Sequence, residues 1–398
     1  MSKIQASTPL KNIRVLDLTR VRAGPTCVRM LADFGADVVR VEPPPGVDPN
    51  EASFAADRMG GDFQNLNRNK RAVTLNLKTP EGVEIFKRMV ATADVVAENW
   101  RPDVKKRLGL DYESLKKINP RVILVSISGF GQDGPYAWRP GFDQIAQGMG
   151  GLMSVTGLPG QGPVRAGHAV ADSSAGLYAA LGVMMALFER ETSGEGQWVQ
   201  SSLLQSMIAM MDFQAARYLV EGVIPQQAGN NHPTATPMGL YEASDGSFNL
   251  GVAGEGIWAN LCGVVGKPEW VTDERFHNEK ARYQQRPQLN ELLNDIFRTK
   301  TVAHWVEALN KAGVPAGPVY DVKQMFEDPQ VQHLKAWKEV TSPAGVSKKL
   351  ITQPCVLSRT PADIVTIAPS CGEHSDEILG EAGYSAQEIA GFRARGVV

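Results

Sequence analysis

The N-terminal third of the chain alternates between strand-like and helix-like segments, which predicts an α/β fold built on an open sheet. Two apolar runs, Ile13–Leu18 and Asp37–Val41, have the composition of buried strands. Between them, Pro25–Phe34 has a helical pattern with proline in its first turn and Gly35 just beyond its end. Such a βαβ unit places its two strands parallel, with a right-handed crossover between them.

The same alternation continues along the chain. Further strand candidates follow at Ala72–Leu77, Asp94–Ala97 and Arg121–Ser126. An open α/β sheet binds its ligands beyond the carboxyl ends of its strands. The first strand is not followed by G-x-G-x-x-G, so a dinucleotide-binding fingerprint is absent. The stretch Pro43–Asn69 is rich in proline, aspartate, asparagine and glycine, and it predicts a long functional loop.

A change of sequence pattern after Pro237 predicts a second, small α+β domain. Two strand-like runs, Leu240–Ala243 and Phe248–Val252, flank an Asp-Gly turn and form a predicted hairpin. Helical stretches follow it before the chain returns to the large domain. The predicted division is 1–205 for the large domain, 206–231 for a linker helix, 232–318 for the small α+β domain, 319–343 for a second linker and 344–398 for a segment that rejoins the large domain.

The composition excludes several classes of protein. Of 398 residues, 43% are hydrophobic and 21% charged, which is typical of a globular chain. The net charge of −2 does not indicate a nucleic-acid-binding protein. Apolar runs are too short for a membrane span, and Met1–Pro9 lacks the apolar core of a signal peptide. The four cysteines are scattered, so we expect neither a zinc site nor a disulfide framework, and a reducing, cytoplasmic location.

Asp172 carries the strongest indication of chemistry. A run rich in glycine and proline, Gly157–Gly167, precedes it, and an apolar helix is predicted from Ser173 to about Arg190. At a helix start, free backbone N–H groups and the positive end of the helix dipole favour an ionised carboxylate. An ionised carboxylate held at that point can be a nucleophile. The simpler alternative is an aspartate that only caps the helix.

The text around Asp172 resembles the core signature of the class III CoA-transferases, the family of formyl-CoA transferase and of enzymes first described as L-carnitine dehydratases. Five further runs, in the same order as in that family, extend the resemblance from Val15 to about Leu379. These runs are Leu16–Pro25, Asn69–Gly82, Ala93–Pro102, Gly313–Val319 and Gly372–Glu377. In this family the aspartate aligned with Asp172 is the catalytic nucleophile.

The resemblance implies covalent catalysis with an acyl-CoA as substrate. Asp172 would attack the thioester to form a mixed anhydride, and the CoA thiolate would then convert this to an aspartyl-CoA thioester. The acceptor acid would reverse these steps and leave as acyl-CoA. The free energy of the donor's thioester bond is conserved in the thioester bond of the product, so neither a metal nor a nicotinamide is expected to take part.

The family's coenzyme contacts transfer by position onto this chain. The residues implied to bind coenzyme A are Val21, Ala23, Leu75, Leu77, Lys78, Asn99, Trp100, Arg107, Phe142 and Asp143. Cationic Lys78 and Arg107 suit the phosphates of CoA. The sequence without the resemblance offers simpler roles for two of these residues. Arg107 would lie solvated at the end of a helix, and Asp143 would cap a helix that begins at about Gln144.

Two positions bear on the acids that are exchanged. Relatives that use formyl-CoA carry glutamine where this chain has Arg22. A guanidinium there can bind a second carboxylate, which suggests a dicarboxylate such as succinate; the alternative is that Arg22 binds a CoA phosphate or a structural carboxylate. His232 falls where formyl-specific members carry a Gly-rich flap, which this chain lacks.

The resemblance also implies an architecture. Members of the family have a Rossmann-like large domain and a small domain, and they form homodimers whose two chains are interlocked. We expect the same here, with acyl-CoA and small carboxylic acids as substrates and with neither nucleic acid nor membrane as a partner.

Two alternative functions differ in chemistry. The fold also hosts 2-methylacyl-CoA racemases, which need a histidine where this chain has Phe142 in Gly141–Asp143. A CoA-binding protein without catalysis would not need the Asp172 loop.

Overall fold

The computed structural model describes residues 3–48 and 57–398, and its largest element is a six-stranded parallel sheet. The strand order is β3-β2-β1-β4-β5-β6. This is the doubly wound order in which the chain reverses direction across the sheet between β1 and β4. The strands are β1 (Arg14–Asp17), β2 (Asp37–Glu42), β3 (Lys70–Thr74), β4 (Val95–Glu98), β5 (Ile123–Ser128) and β6 (Trp198–Ser202).

Helices lie between these strands and directly after the last of them, and helices pack against both faces of the sheet. In chain order they are α1 (Ala23–Asp33), α2 (Gly61–Asn67), α3 (Pro80–Val90), α4 (Pro102–Leu108), α5 (Tyr112–Ile118), α6 (Asp143–Met149), α7 (Leu152–Val155), α8 (Val170–Ser193), α9 (Leu203–Met210) and α10 (Asp212–Glu221). The predicted α/β class is therefore confirmed.

The remaining elements follow in the C-terminal half of the chain. They are β7 (Met238–Glu242), β8 (Ser247–Gly251), α11 (Glu255–Val264), a 3₁₀ turn (Pro268–Val271), α12 (Glu279–Gln284), α13 (Arg286–Phe297), α14 (Val302–Lys311), β9 (Ala316–Pro318), α15 (Val322–Glu327), α16 (Pro329–His333), β10 (Trp337–Thr341), β11 (Ser347–Ile351), α17 (Ser375–Glu381) and α18 (Ala386–Ala394).

The large sheet separates two hydrophobic cores because successive strand residues point to opposite faces. In β1, Val15 belongs to the core formed with α1 and α8, whereas Leu16 belongs to the core formed with α3 and α17. Both side chains are fully buried. A strand buried on both faces reads as a continuous apolar run, which is why the sequence revealed these strands.

Two sequence predictions of local structure need correction. The strand predicted at Ala72–Leu77 is β3, Lys70–Thr74, because the charged residues Lys70 and Arg71 lie buried within it. Leu75 and Leu77 consequently follow the strand. The predicted long loop contains helix α2, and its residues 49–56 lie outside the described residues.

The described residues form two compact units. One consists of the residues up to Leu152, Ala166–Ala216 and His333–Val398, and the other of Met153–Arg165 and Arg217–Gln332. The second unit holds the three-stranded antiparallel sheet β7-β8-β9, including the predicted hairpin. Its core is rich in aromatic rings, with Trp258, Phe248 and Phe297 fully buried.

The last signature run of the sequence covers the edge of the large sheet. Ala72 of the edge strand β3 donates its amide to Nδ1 of His374 at 3.2 Å, and Thr74 donates to the hydroxyl of Ser375 at 3.1 Å. Arg71 reaches Glu377 and Glu381 in α17 at 2.9 and 2.7 Å. These contacts protect an edge that would otherwise expose unpaired backbone groups.

Helix α8 is long and apolar enough to cross a membrane by length and composition alone. Half of its most apolar window is buried within the fold. Core helices meet the same criterion, so the finding is weak evidence for a membrane span.

Candidate active site

The candidate site lies at the carboxyl ends of β1 and β4, where the strand order of the sheet reverses. Ligands of open α/β sheets bind at this point. A cavity of about 300 Å³ opens here beside Asp172, and we call it the Asp172 cavity. The predicted site residues that line it are Val21, Arg22 and Ala23 after β1, Asn99 and Trp100 after β4, Phe142 before α6, and Asp172 itself.

A second cavity, of about 450 Å³, adjoins the first, and we call it the Lys78 cavity. Arg20 and Trp100 line both cavities. The predicted residues in its wall are Leu75, Leu77, Lys78, Trp100 and Arg107. The two cavities together contain every predicted coenzyme residue except Asp143, which is buried next to the first.

Glycine at position 176 brings α8 close to the start of α1. A Cβ atom at Gly176 would lie 2.5 Å from the carbonyl oxygen of Ala23, so a larger residue would separate the two helices. Asp172 precedes Gly176 by one turn of α8. The close packing of the helices therefore places the carboxyl group of Asp172 beside the loop that follows β1.

Burial raises the pKa of Asp172 to about 6, and the negative charge of Asp143 adds to this effect. The positive charge of Arg22 acts in the opposite direction. The sequence predicted that free N–H groups at the helix start would favour the ionised form, and this prediction is wrong. The amides of Ala171 and Asp172 are already bound to Asp143, at 2.8 and 3.3 Å, and that of Val170 to the carbonyl of His168.

Asp143 therefore caps a helix other than the one predicted. Helix α6 begins at Asp143 itself, and no side chain caps it. One carboxylate oxygen of Asp143 instead accepts the two amides at the start of α8, whose own N-cap residue, Ala169, has no capping side chain. The contact joins α6 to the turn that carries Asp172.

Asn99 holds both backbone polar groups of one residue in the loop after β1. Asn99 accepts the amide of Arg20 at 2.9 Å and donates to the carbonyl of the same residue at 2.7 Å. Val21, next in the chain, has a φ of 63°, a strained conformation for a β-branched residue. The structure thus shows Asn99 shaping the cavity wall, and its direct contact with coenzyme stays a prediction.

A buried ion pair at the end of β1 also stabilises the start of this loop. Asp17, at the end of β1, accepts hydrogen bonds from Nζ of Lys70 at 2.8 Å and from the amide of Thr19 at 2.9 Å. Burial alone would raise the pKa of Asp17, but Lys70, Arg40 and Thr19 together hold it below its ordinary value. The ionised carboxylate anchors the backbone just before Arg20.

Arg22 bonds to an acidic side chain from helix α2. Its Nη2 donates to Oδ1 of Asp62 at 2.6 Å, and both side chains are partly or largely exposed. The alternative in which Arg22 binds a structural carboxylate is therefore observed in this state. Arg22 also lies near enough to Asp172 to lower its pKa.

The cations predicted to bind phosphate remain accessible in the Lys78 cavity. Nζ of Lys78 donates to the carbonyl of Val47 at 2.9 Å, and its side chain is exposed. Arg107 lies 3.6 Å from Asp103 one turn earlier in α4, and 69% of its side chain is exposed. Both the predicted phosphate contact and the alternative of a solvated helix end are compatible with this position.

His232 belongs to the other compact unit, and Nδ1 of its ring accepts the amide of Ala235 at 3.0 Å. The predicted residues of the Asp172 cavity belong to the first unit, and contact of His232 with substrate stays a prediction. In the described parts of the chain, no three His, Cys, Asp or Glu side chains converge in the manner of a metal site.

Sequence reasoning missed several polar residues that support the site. Lys70 and Asp62 belong to this group, and so does Gln147 in α6, which is fully buried. Only Lys70 left a signal, since a lysine inside an apolar strand requires a buried partner. The partners of Lys70 and Asp62 come from distant parts of the chain, so spacing gave no indication of those pairs, whereas Gln147 lies one helical turn after its partner Asp143.

Comparison with known proteins gives a consistent result over nearly the whole chain. The model of CoA-transferase family III matches residues 10–375. Succinate–glutarate CoA-transferase of Agrobacterium fabrum is 39% identical over 94% of this chain and 95% of its own. Succinyl-CoA–D-citramalate CoA-transferase of Chloroflexus aurantiacus is 36% identical over the full length of both. The crystal structure of a CAIB/BAIF family protein from Brucella suis superposes with a TM-score of 0.82 at 37% identity, covering 94% of this chain and all of that one.

Proposed function

This chain belongs to CoA-transferase family III, and we propose that it moves CoA between an acyl-CoA and a free carboxylic acid through a covalent intermediate on Asp172. One observation carries the proposal: the Asp172 cavity and the Lys78 cavity share Arg20 and Trp100. An extended acyl-CoA with its phosphates near Lys78 would bring its thioester to Asp172.

In the proposed first half-reaction, a carboxylate oxygen of Asp172 attacks the thioester carbon, the C–S bond breaks, and CoA leaves as thiolate. The thiolate then attacks the aspartyl carbonyl of the mixed anhydride. This step forms aspartyl-CoA and releases the donor acid as its carboxylate. The acceptor carboxylate attacks the carbonyl of aspartyl-CoA, which breaks the C–S bond, releases the thiolate and forms a second mixed anhydride. The thiolate finally attacks the acceptor's carbonyl and displaces the carboxylate of Asp172. Asp172 is regenerated, and the cycle consumes no water.

The raised pKa of Asp172 suits this chemistry. At neutral pH most of the carboxyl groups are ionised, because a pKa of about 6 lies below that pH. A carboxylate of higher basicity is a better nucleophile, and its poor solvation removes part of the hydration that attack must displace. The nucleophile is thus available and more reactive than an exposed aspartate.

The developing oxyanions need hydrogen-bond donors other than the amides that open α8, since Asp143 occupies those. The start of α1 is the alternative that we favour. Ala23 lines the Asp172 cavity, and the first amides of a helix have no partner within the helix. The amides of Ala23 and Gly24 would therefore stabilise negative charge on the carbonyl under attack.

We propose a dicarboxylic acid as one of the two acids. The two relatives above are named for succinate with glutarate and for succinyl-CoA with D-citramalate. Arg22 supplies a cation in the wall of the Asp172 cavity that can bind the distal carboxylate. For Arg22→Gln we expect KM for succinate or glutarate to rise about tenfold, the equivalent of ~1.4 kcal/mol, with little change for butyrate. Equal effects on both classes of acid would contradict this role.

The covalent step has a direct test. Incubation with acyl-CoA and hydroxylamine should convert Asp172 to a hydroxamate that peptide mass spectrometry locates. Asp172→Ala should lose the adduct and nearly all turnover, a fall of about 10⁴-fold or more. With ¹⁸O in both carboxylate oxygens of the acceptor acid, label should appear in the carboxyl group of Asp172 after turnover. Turnover by Asp172→Ala near the wild-type rate would refute the mechanism.

We further propose a homodimer. Helix α8 exposes an apolar stripe at helical spacing: Leu177, Leu181, Met184, Met185 and Phe188, the last with 82% of its surface accessible. A second copy of the chain would cover it, as the resemblance implies. Light scattering should give twice the chain mass, and Phe188→Glu should weaken association. A wild-type monomer at micromolar concentration would refute the proposal.

A further inference from the structure

We propose that Gln147 is a positioning residue that, through Asp143, fixes the orientation of the nucleophile. Asp143 and Gln147 lie one turn apart on α6, and we call them the α6 clamp. The inference rests on the proposed role of Asp172 as nucleophile. Gln147 does not line the Asp172 cavity, so its effect on the reaction must pass through other residues.

Gln147 uses both ends of its carboxamide. Its Nε2 donates to Oδ2 of Asp143 at 2.6 Å and to the carbonyl of His168 at 3.2 Å. Its Oε1 accepts the amide of Ala166 at 2.9 Å. The side chain is fully buried, so water does not compete for these bonds. Gln147 therefore binds both the helix that carries Asp143 and the loop that leads to Asp172.

Asp143 completes the connection to the nucleophile. Its other oxygen, Oδ1, accepts the amides of Ala171 and of Asp172 itself. The chain of contacts thus runs from Gln147 to the backbone of the reacting residue. The preceding loop contains Gly162 and Gly167 and is largely exposed. Through the amide of Ala166 and the carbonyl of His168, the α6 clamp restrains the end of this loop nearest Asp172.

Glutamine is the side chain that this position requires. It offers a donor to the carboxylate of Asp143 and an acceptor to the amide of Ala166 at the same time. Leucine would remove both of these hydrogen bonds, and glutamate would place a second negative charge against Asp143. Either change should loosen the start of α8 without altering any group that contacts substrate.

Gln147→Leu tests the inference against a matched control on the same helix, Gln144→Leu, whose side chain is exposed. We expect Gln147→Leu to lower kcat about 10- to 100-fold, the loss typical of a misplaced reacting group. KM for acyl-CoA should stay within about threefold, since the walls of both cavities are intact. Gln144→Leu should behave as wild type.

A reciprocal exchange separates positioning from general loss of structure. In Asp143→Asn with Gln147→Glu, the asparagine oxygen still accepts the amides of Ala171 and Asp172, and its amide donates to the glutamate. The glutamate still accepts the amide of Ala166 and the net charge is unchanged, so only the donation to the carbonyl of His168 is lost. We expect each single variant to be impaired and the double variant to recover kcat at least about tenfold over the weaker single.

A wild-type kcat in Gln147→Leu would overturn the inference. It would also be overturned if Gln147→Leu lowered kcat and raised KM by the same factor and the exchange variant recovered no activity. Asp172→Ala is measured in parallel. If it is inactive while Gln147→Leu is fully active, the clamp fails and the proposed nucleophile stands. If Asp172→Ala is active, the proposed mechanism itself fails.

Discussion

Asp17 and Asp172 are two carboxylates near the same crevice, and burial leads to opposite outcomes in them. Asp17 is completely buried, yet its pKa lies below the ordinary value because Lys70 and Arg40 are nearby. Asp172 is only partly buried, yet its pKa rises to about 6, because burial raises it and the negative charge of Asp143 adds to the effect. Burial acts in the same direction on both groups, so the sign of the neighbouring charges separates the structural anchor from the proposed nucleophile.

Breaking the anchor should have the largest effect on stability. Lys70→Met would leave the charge of Asp17 buried and unpaired, and we expect a loss of about 3–5 kcal/mol. The midpoint of the first unfolding transition in urea measures it. Lys323→Met, at a side chain that is 82% exposed, is the control and should change the midpoint little.

The pair can also be removed as a whole. Asp17→Asn with Lys70→Met leaves no buried charge, so the double variant should be more stable than Lys70→Met alone. A double variant as unstable as the single one would mean that lost packing, and not the unpaired charge, causes the damage.

Removing the reactive charge should have the opposite effect on stability. The folded state raises the pKa of Asp172 from 3.8 to about 6, so it binds more protons than the unfolded state between these pH values. This contribution to stability therefore falls as pH rises through that window, and above it the ionised group disfavours folding. Asp172→Asn should stabilise the protein at pH 7.5 by about 1–3 kcal/mol.

Denaturant unfolding of Asp172→Asn and wild type at pH 7.5 and pH 4 checks this expectation. The gain should be present at pH 7.5 and small at pH 4, where the wild-type carboxyl group is protonated. A variant less stable than wild type at pH 7.5 would show that the charge of Asp172 is well compensated in the fold.

The smallest expected effect is a shift in the pH dependence of the reaction. Because the neutral carboxyl group is not a nucleophile, kcat/KM for acyl-CoA should fall about tenfold per pH unit below pH about 6. Asp143 raises and Arg22 lowers the pKa of Asp172. Asp143→Asn should therefore move the acid limb down by about 1 pH unit, and Arg22→Gln should move it up. An acid limb that neither variant moves would exclude Asp172 as the titrating group.

Much of the site was predictable because it follows the ends of strands. Parallel strands bring their carboxyl ends to one edge of the sheet, so the residues after β1, β3 and β4 had to meet there. Leu75, Asn99 and Val21 were identified from the resemblance to a known family. The helix predicted from Ser173 to about Arg190 is α8, which begins three residues earlier and ends three residues later.

The environment of Asp172 was not predictable, because it depends on pairs of residues from separate elements. Asp143 and Asp172 come from α6 and α8, and Arg22 and Asp62 come from α1 and α2. No spacing rule connects such residues. The sequence predicted free backbone amides at the helix start beside Asp172. In the structure Asp143 accepts the amides of Ala171 and Asp172.

The sequence by itself determined the alternation of strands and helices, the family and the choice of the aspartate proposed as nucleophile, because periodicity and local motifs are properties of neighbouring residues. Only the tertiary structure decided the proton affinity of that aspartate and the partner of Arg22. Both depend on charges that are close in space and distant along the chain, and electrostatic energy follows distance through space.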